Sequence, residues 1–538
     1  MNRVATVRPE DVDLHAIRTI TDPMMIENYL QDESTAMVGQ AEVVYVPATE
    51  AELAAVLRHY SETRTPVTTS GAGTGLTCSR VPLGGVVLST EGLVAPVCTE
   101  PGAGERALTD GKHTVYVNDE QMYVVAPPAI RLEELAAVLA PEKLLYPPNP
   151  TEQTAFIGGT VACNSSGGRT YHYGPTRVWV QAARVVLSCG EVLDLRRGEV
   201  FADEQGRFAI ELSSGETLHV QLPSYHAPEV KDASGYFVGR EQTDLLDLFI
   251  GSEGTLGVFT QVQLGLLPLP PSIFACTGYF DGVEAALGFV KAARAATDDP
   301  DSPVDALAIE FFDPHALTLL RSKYPAIPEE AGAGIFFEQA ISEGQDEDDI
   351  LMAWAELLEE HGSIADWSGF SDRDRAEMVD IRHAVPELCH QLVRQSKQHK
   401  VATDVAVPDG ALDAIMQAYR EIGEATGVRY VLFGHISSNH LHWDFIPMSE
   451  QETEASHRAF LELSRRGVEL GGTISAEHGV GKKSYEEDGV QRPYLYLMYG
   501  EQGLRETALT KHQLDPAHIL NRGNMVPESY LDELVGTE

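Results

Sequence analysis

Short apolar runs alternate with amphipathic stretches along the chain. In "EVVYVPATEAELAAVLRHYSETRTPVTTSG" a β-branched run leads to Thr49, and Leu53, Val56 and Leu57 then recur at helical spacing, which predicts a strand, an N-cap and an amphipathic helix. Further on, "QMYVVAPPAI" predicts a strand, "LEELAAVLAP" a helix, "WVQAARVVLSCGEVLDL" two strands meeting at a Cys-Gly turn, and "LGVFTQVQLGLLPLP" a strand stopped by prolines near position 270. Strands and helices mix without a strict βαβ rhythm, so the expected fold class is α+β rather than a doubly wound sheet. Beyond Pro271 the helical patterns lengthen, in "EAALGFVKAARAAT", "DDILMAWAELLEEHG" and "GALDAIMQAYREIGEAT", between strands such as "VRYVLFGHI". A second domain is expected to start there, with "TDDPDSPVD" and "GQDEDDI" as solvated connectors.

At 538 residues the chain exceeds what one core usually organises, so several domains are expected. The 81 acidic against 39 basic residues leave a formal charge of −42, which opposes docking on nucleic acid or anionic lipid. An anionic substrate would therefore need local positive groups or a metal in its cleft. The six cysteines, Cys78, Cys98, Cys163, Cys189, Cys276 and Cys389, show no C-x-x-C spacing, so neither an iron–sulfur cluster nor a disulfide framework is indicated. The first twenty residues lack an apolar signal core and no run of eighteen apolar residues occurs, so a cytoplasmic enzyme without a transmembrane segment is the expectation, with peripheral contact at the inner membrane face left open.

Candidate chemistry concentrates in two kinds of segment. The first is glycine-rich. "TSGAGTGLT" sets Gly71, Gly73 and Gly75 around Thr74 directly after a strand, where successive backbone N–H groups can cradle a pyrophosphate. Leu76 breaks the Rossmann spacing, and a single such loop also reads as an ordinary tight turn. "FIGGTVACNSSGGRTYHYG" and "FIGSEGTLGV" add two more loops, as backbone wrapping round a large flat cofactor requires.

The second kind is histidine-rich. "GHISSNHLHWDF" predicts strand, polar loop and strand, with His440, His442 and Asp444 on one face by the period of two and His435 closing the first strand. Satisfied core or surface histidines are the alternative. In "GGTISAEHGVGKKS", Gly479 and Gly481 permit a turn that lets Glu477 and His478 face one cavity. Two imidazoles and a carboxylate make the ligand set of an open catalytic zinc site, with a neighbouring histidine for proton transfer.

Taken in order, "PVTTSGAGTGLT", "PPNPTEQTAFIGGTVACNSSG", "KDASGYF", "FIGSEGTLGVFT" and "LDPAHILNRGN" resemble the motifs of vanillyl-alcohol-oxidase-type flavoproteins, from about Ser34 to Asn524. The resemblance implies an FAD domain of two lobes over residues 34–270, a preceding extension (1–33), an α+β cap or substrate domain with the metal site (271–480), and a C-terminal segment (481–538) returning to the FAD domain. By position, Gly71, Ala72, Gly73, Thr74 and Gly75 would hold the pyrophosphate, with Leu76 and Pro148 completing the contacts. Gly159, Ala162, Asn164, Ser166, Gly167, Glu253, Gly254 and Val258 would line the rest of FAD, and Asn521 would lie near the isoalloxazine. Ser70 stands where an arginine is common, Cys78 where a glycine is, and Arg522 where proline is usual. No histidine matches a covalent flavin link, so non-covalent FAD is expected.

The histidine motifs narrow the resemblance to FAD-dependent D-2-hydroxy acid dehydrogenases, which act on D-lactate, D-2-hydroxyglutarate or glycolate. By that match His435, His442 and Glu477 take the divalent-metal positions, with Zn2+ the expected ion, and His478 takes the general base. His440 stands at an asparagine position that faces substrate, and Ser438 at an aspartate position. Arg382 matches the arginine that binds the substrate carboxylate, Lys400 adds positive charge, and Tyr173 and Lys231 are further candidates. The implied partners are a small 2-hydroxy acid, an electron acceptor (quinone, cytochrome or flavoprotein) and, for a homodimer, a second copy. Two rival readings are an alkyl-glycerone-phosphate-synthase-like, non-redox FAD enzyme and a zinc hydrolase without flavin.

Overall fold

A computed structural model describes residues 11–369 and 371–535. Strands β1 (Thr19–Ile20), β2 (Val43–Tyr45), β3 (Val67–Ser70) and β4 (Val86–Ser89) form a four-stranded sheet in the order β1-β2-β4-β3, with β2 and β3 both parallel to β4. Between β2 and β3 runs helix α1 (Glu50–Thr63), begun as expected by the Thr49 side chain, which accepts from the Glu52 amide at 3.2 Å. Leu53, Val56 and Leu57 are its buried face. β1 pairs with Val44 and Tyr45, so this lobe begins upstream of Ser34 rather than behind a separate extension. The C-terminal segment joins the lobe by backbone pairing: the Val67 amide donates to Ile519 O at 2.8 Å and the Asn521 amide to Val67 O at 3.0 Å.

The second lobe is a six-stranded antiparallel sheet of β5 (Arg106–Thr109), β6 (Thr114–Asn118), β7 (Tyr123–Ala126), β8 (Val180–Val186), β9 (Val192–Arg196) and β10 (Val258–Gly265), in the order β9-β8-β10-β7-β6-β5. Its core takes in Leu135 and Leu139 of α2 (Leu132–Leu139) and Ile157 and Val161 of α3 (Ile157–Ala162).

The third unit is an eight-stranded antiparallel sheet of β11 (Ser272–Phe280), β12 (Ala308–Phe312), β13 (Ala333–Ile341), β14 (Ser363–Gly369), β15 (Val401–Ala402), β16 (Val405–Ala406), β17 (Tyr430–Gly434) and β18 (His440–Phe445). Its order is β14-β11-β13-β12-β17-β18-β15, with β16 also on β18. One face packs Phe289 of α4 (Val283–Asp298), Trp354 of α6 (Glu347–Glu360) and Ile415 of α8 (Leu412–Thr426), with α5 (Pro314–Leu320) and α7 (Asp372–Ser396) on the other. Helix α9 (Glu450–Glu469) follows β18. Helix α10 (Tyr496–Leu514) returns to the second-lobe core through Leu504, Ala508 and Leu514. Among the described residues, no helix is long and apolar enough to cross a membrane.

Candidate active site

The hairpin β17–β18 presents the histidines. Gly434 turns the chain at φ +120°, and a Cβ there would come within 3.0 Å of the His442 ring, so glycine is what lets His435 and His442 approach. A 3-10 turn over Ile436–Ser438 follows, and the His440 amide closes on His435 O at 3.1 Å. His435 Nδ1 lies 2.7 Å from Glu310 Oε1, and Glu310 is a buried residue of β12. Its other nitrogen, Nε2, is buried without a hydrogen bond and lies 3.5 Å from Glu477 Oε2. His442 Nε2 is 3.3 Å from Glu477 Oε1.

Glu477 and His478 sit on the turn expected for them, with Gly479 at φ +78° and Gly481 at φ +51°. The turn is fastened from below by Asp404, between β15 and β16. One oxygen of Asp404 accepts from Ser475 Oγ at 2.6 Å and from the His478 amide at 2.9 Å, and lies 3.3 Å from His478 Nδ1. The other oxygen lies 2.8 Å from His440 Nε2. Ligand-type atoms of His435, His440, His442 and Glu477 lie within 4.8 Å of one another, as do those of Asp404, His442, Glu477 and His478.

Lys231 enters this cluster from the second lobe: its Nζ donates to Glu477 Oε2 at 2.6 Å and lies 3.0 Å from His440 Nδ1. Burial would raise the Glu477 carboxyl, but Lys231 and the histidines hold it well below the usual carboxylate range. Burial, reinforced by Lys231, pushes His440 down to about 3, and burial also lowers His442. Both rings are therefore neutral, the form that ligates metal. At His478 burial is overridden by the Asp404 carboxylate and then by Glu477, and the net shift is upward. His440, expected at a substrate-facing position, is fully buried with Nδ1 3.0 Å from Lys231 Nζ and Nε2 2.8 Å from Asp404 Oδ1.

Arg382, on α7, lies with Nη2 3.2 Å from Glu310 Oε1. Pro386 stands one turn later, so no amide is available to bond the Arg382 carbonyl in the helix. Against burial, Arg382 and His435 together hold the Glu310 carboxyl down to about 2. One buried carboxylate thus orients both the arginine and a metal-type histidine. Lys400 does not join them: its Nζ is paired with Asp444 Oδ2 at 2.7 Å, and among the described residues no hydrogen bond or ion pair links it to the histidines. Glu310 and Asp404 escape motif reading, yet each is an acid among apolar residues, in "LAIEFF" and "VATDVAVP", a signal of a buried charge. Another trio, Asp110, His113 and Glu134, lies in the second lobe, where His113 Nδ1 is 2.8 Å from Asp110 and Glu134 caps α2 through the Arg131 amide.

The glycine loops converge beside this cluster. Asn521 Oδ1 accepts from the Thr69 amide at 2.7 Å, and Asn521 Nδ2 donates to Glu253 O at 2.9 Å. The Glu253 amide donates to Ala162 O at 2.8 Å and the Gly251 amide to Val161 O at 3.1 Å. The Glu253 carboxylate accepts from Ser79 Oγ and from the amides of Val480 and Gly481 at 2.8 and 2.9 Å, which latches the third glycine loop to the Glu477–His478 turn. A Cβ on Gly168 would collide with the Glu310 carboxylate and stand 3.1 Å from Arg382, so the second loop touches the arginine too. Asn164 is spent on the fold, through Asp232 O and the Arg177 amide. The hydroxyls of Thr69, Ser166 and Ser252 are buried without partners, and the strand preceding the first loop and the second and third loops thus each offer an unused donor, as a polar cofactor needs. For a metal the matching observation is the unpartnered Nε2 of His435, whose tautomer Glu310 fixes.

The chain matches the family model for the C-terminal domain of FAD linked oxidases over residues 280–525 and that for an FAD binding domain over residues 107–196, together more than half of its length. It belongs to the FAD-linked oxidase family. The glycolate oxidase subunit GlcD of Bacillus subtilis is 24% identical over 502 residues, covering 92% of this chain and 91% of the relative. A D-lactate dehydrogenase of Anaerostipes hadrus is 26% identical over 520 residues, 94% of each chain. A D-2-hydroxyglutarate dehydrogenase of Xanthomonas citri is 26% identical over 529 residues, 95% of this chain and 94% of the relative. Among solved structures an alkyldihydroxyacetonephosphate synthase superposes with a TM-score of 0.59 at 14% identity, covering 94% of this chain and 81% of that one, a likeness of fold. These matches set aside the flavin-free hydrolase.

Proposed function

We propose that this protein converts a D-2-hydroxy acid, such as D-lactate or D-2-hydroxyglutarate, to the 2-oxo acid. The reading rests on one arrangement: Glu477 faces His435 and His442 with its two oxygens, His478 follows it, and the next amides are held by Glu253 of a glycine loop. When bound, FAD supplies the acceptor for the C2 hydride, and a divalent ion, zinc by its nitrogen and carboxylate donors, supplies the Lewis acid that acidifies the substrate hydroxyl. His435, His442 and Glu477 would hold that ion.

Arg382 pairs with the substrate carboxylate, its planar fork oriented by Glu310. His478 takes the hydroxyl proton at Nε2, because Asp404 holds the Nδ1 side of the ring at 3.3 Å. Lys231 and Arg382 give this acidic protein the local positive field that a carboxylate substrate requires. The same reading includes an external acceptor, a quinone, cytochrome or second flavoprotein, to take the electrons onward.

The test is anaerobic mixing of holoenzyme with matched D- and L-2-hydroxy acids while flavin absorbance is followed. Bleaching by a D-acid and not by its L-enantiomer is the expected result. A flavin left oxidised by every member of the panel would overturn the proposal and favour a non-redox enzyme.

A further inference from the structure

The first glycine loop has an arginine of its own. Ser70 closes β3 where an arginine was expected, and Arg80 lies further along the return limb of the same loop. Its guanidinium is seated against Gly73, where a Cβ would overlap Nη1, and Gly73 holds φ +94°. Nη2 donates to Asn28 O at 2.9 Å, and Cζ lies 5.6 Å from the centre of the Tyr29 ring. Nε is buried with no hydrogen-bond partner, and among the described residues no carboxylate lies within ion-pair distance of the group. Burial lowers its basicity while Tyr29, Asp32, Glu33 and Glu91 act to restore it.

A half-buried guanidinium with its Nε unbonded and, among the described residues, no carboxylate paired to it leaves hydrogen-bonding capacity that an anion can take up. The anion that fits here is set by the surroundings: the Gly71–Leu76 backbone is partly or fully exposed on the same loop, and guanidinium forks match phosphate oxygens. In a chain of net charge −42, amides alone would face a diphosphate against an unfavourable field. We propose that Arg80 is the cation that pairs with the FAD pyrophosphate, reaching it from the return limb of the loop. The proposal rests on FAD occupying the first glycine loop.

The test uses full-length protein stripped of flavin and titrated with FAD and, separately, with riboflavin, which lacks phosphate. Arg80→Gln keeps a donor for Asn28 and removes the charge. It should weaken FAD binding about 10- to 100-fold, flatten its salt dependence, leave riboflavin binding unchanged, and hold or raise the melting temperature of the flavin-free chain. Adding Ser70→Arg to Arg80→Gln should recover FAD affinity, which a merely bracing role for Arg80 would not allow. Unchanged FAD affinity in Arg80→Gln, equal weakening toward both flavins, or no recovery with Ser70→Arg would overturn the proposal. Failure of the wild-type chain itself to bind FAD would instead strike at the cofactor reading.

Discussion

His478 is pulled in two directions. Asp404 and Glu477 favour its protonated form, whereas proton abstraction needs the neutral ring, and a dication on Glu477 would supply the opposing pull. The rate of flavin reduction should therefore rise with pH as His478 loses its proton. His478→Asn is expected to keep FAD, to reduce it ~10²-fold or more slowly, and to lose that ascending limb. Stopped-flow reduction across pH checks this, and an unchanged profile would remove His478 from the reaction. The residues at this scale were unevenly legible. His435, His442, Glu477 and His478 announce themselves by spacing and by glycine neighbours. Lys231 was a candidate by resemblance and the apolar settings of Glu310 and Asp404 mark them as buried, but their meeting with the cluster through sheet pairing and lobe contact is encoded by no local pattern.

Strand β12 carries Glu310 and ends at Phe312, and the next residue, Asp313, caps α5 with Oδ1, which accepts from the Ala316 amide at 2.7 Å. Burial raises the Asp313 carboxyl to about 7. The unfolded chain gives up this proton near pH ~4, so between there and about 7 the native state binds more proton than the unfolded state and stability falls as pH rises. Above that window the loss is constant. Asp313→Asn retains the cap and removes the titration, so it should match the wild type near pH 4 and exceed it at pH 8 by on the order of 2–4 kcal/mol. Denaturant unfolding at the two pH values checks this, and equal stability differences at both would contradict the buried acid. Element type was well read: the Thr49 cap, the β8–β9 hairpin and the long helices follow from periodicity and turn residues. The order of strands did not follow, because β11 pairs with β13 and β14 across long connections whose register is set by packing on both faces.

At the scale of the molecule, the two lobes and the eight-stranded unit meet at the Glu253 latch, the Gly168 contact and Lys231, and the C-terminal segment closes the first lobe through Ile519 and Asn521. The Glu477–His478 turn is thereby fixed against the glycine loops, which sets the histidine–carboxylate cluster beside them. Elemental analysis of holoenzyme beside His442→Ala tests that juxtaposition. One divalent ion per chain is expected in the wild type, lost in His442→Ala together with substrate-driven flavin bleaching, while FAD stays bound in both. A wild-type chain that bleaches at full rate with no divalent ion present would contradict that expectation.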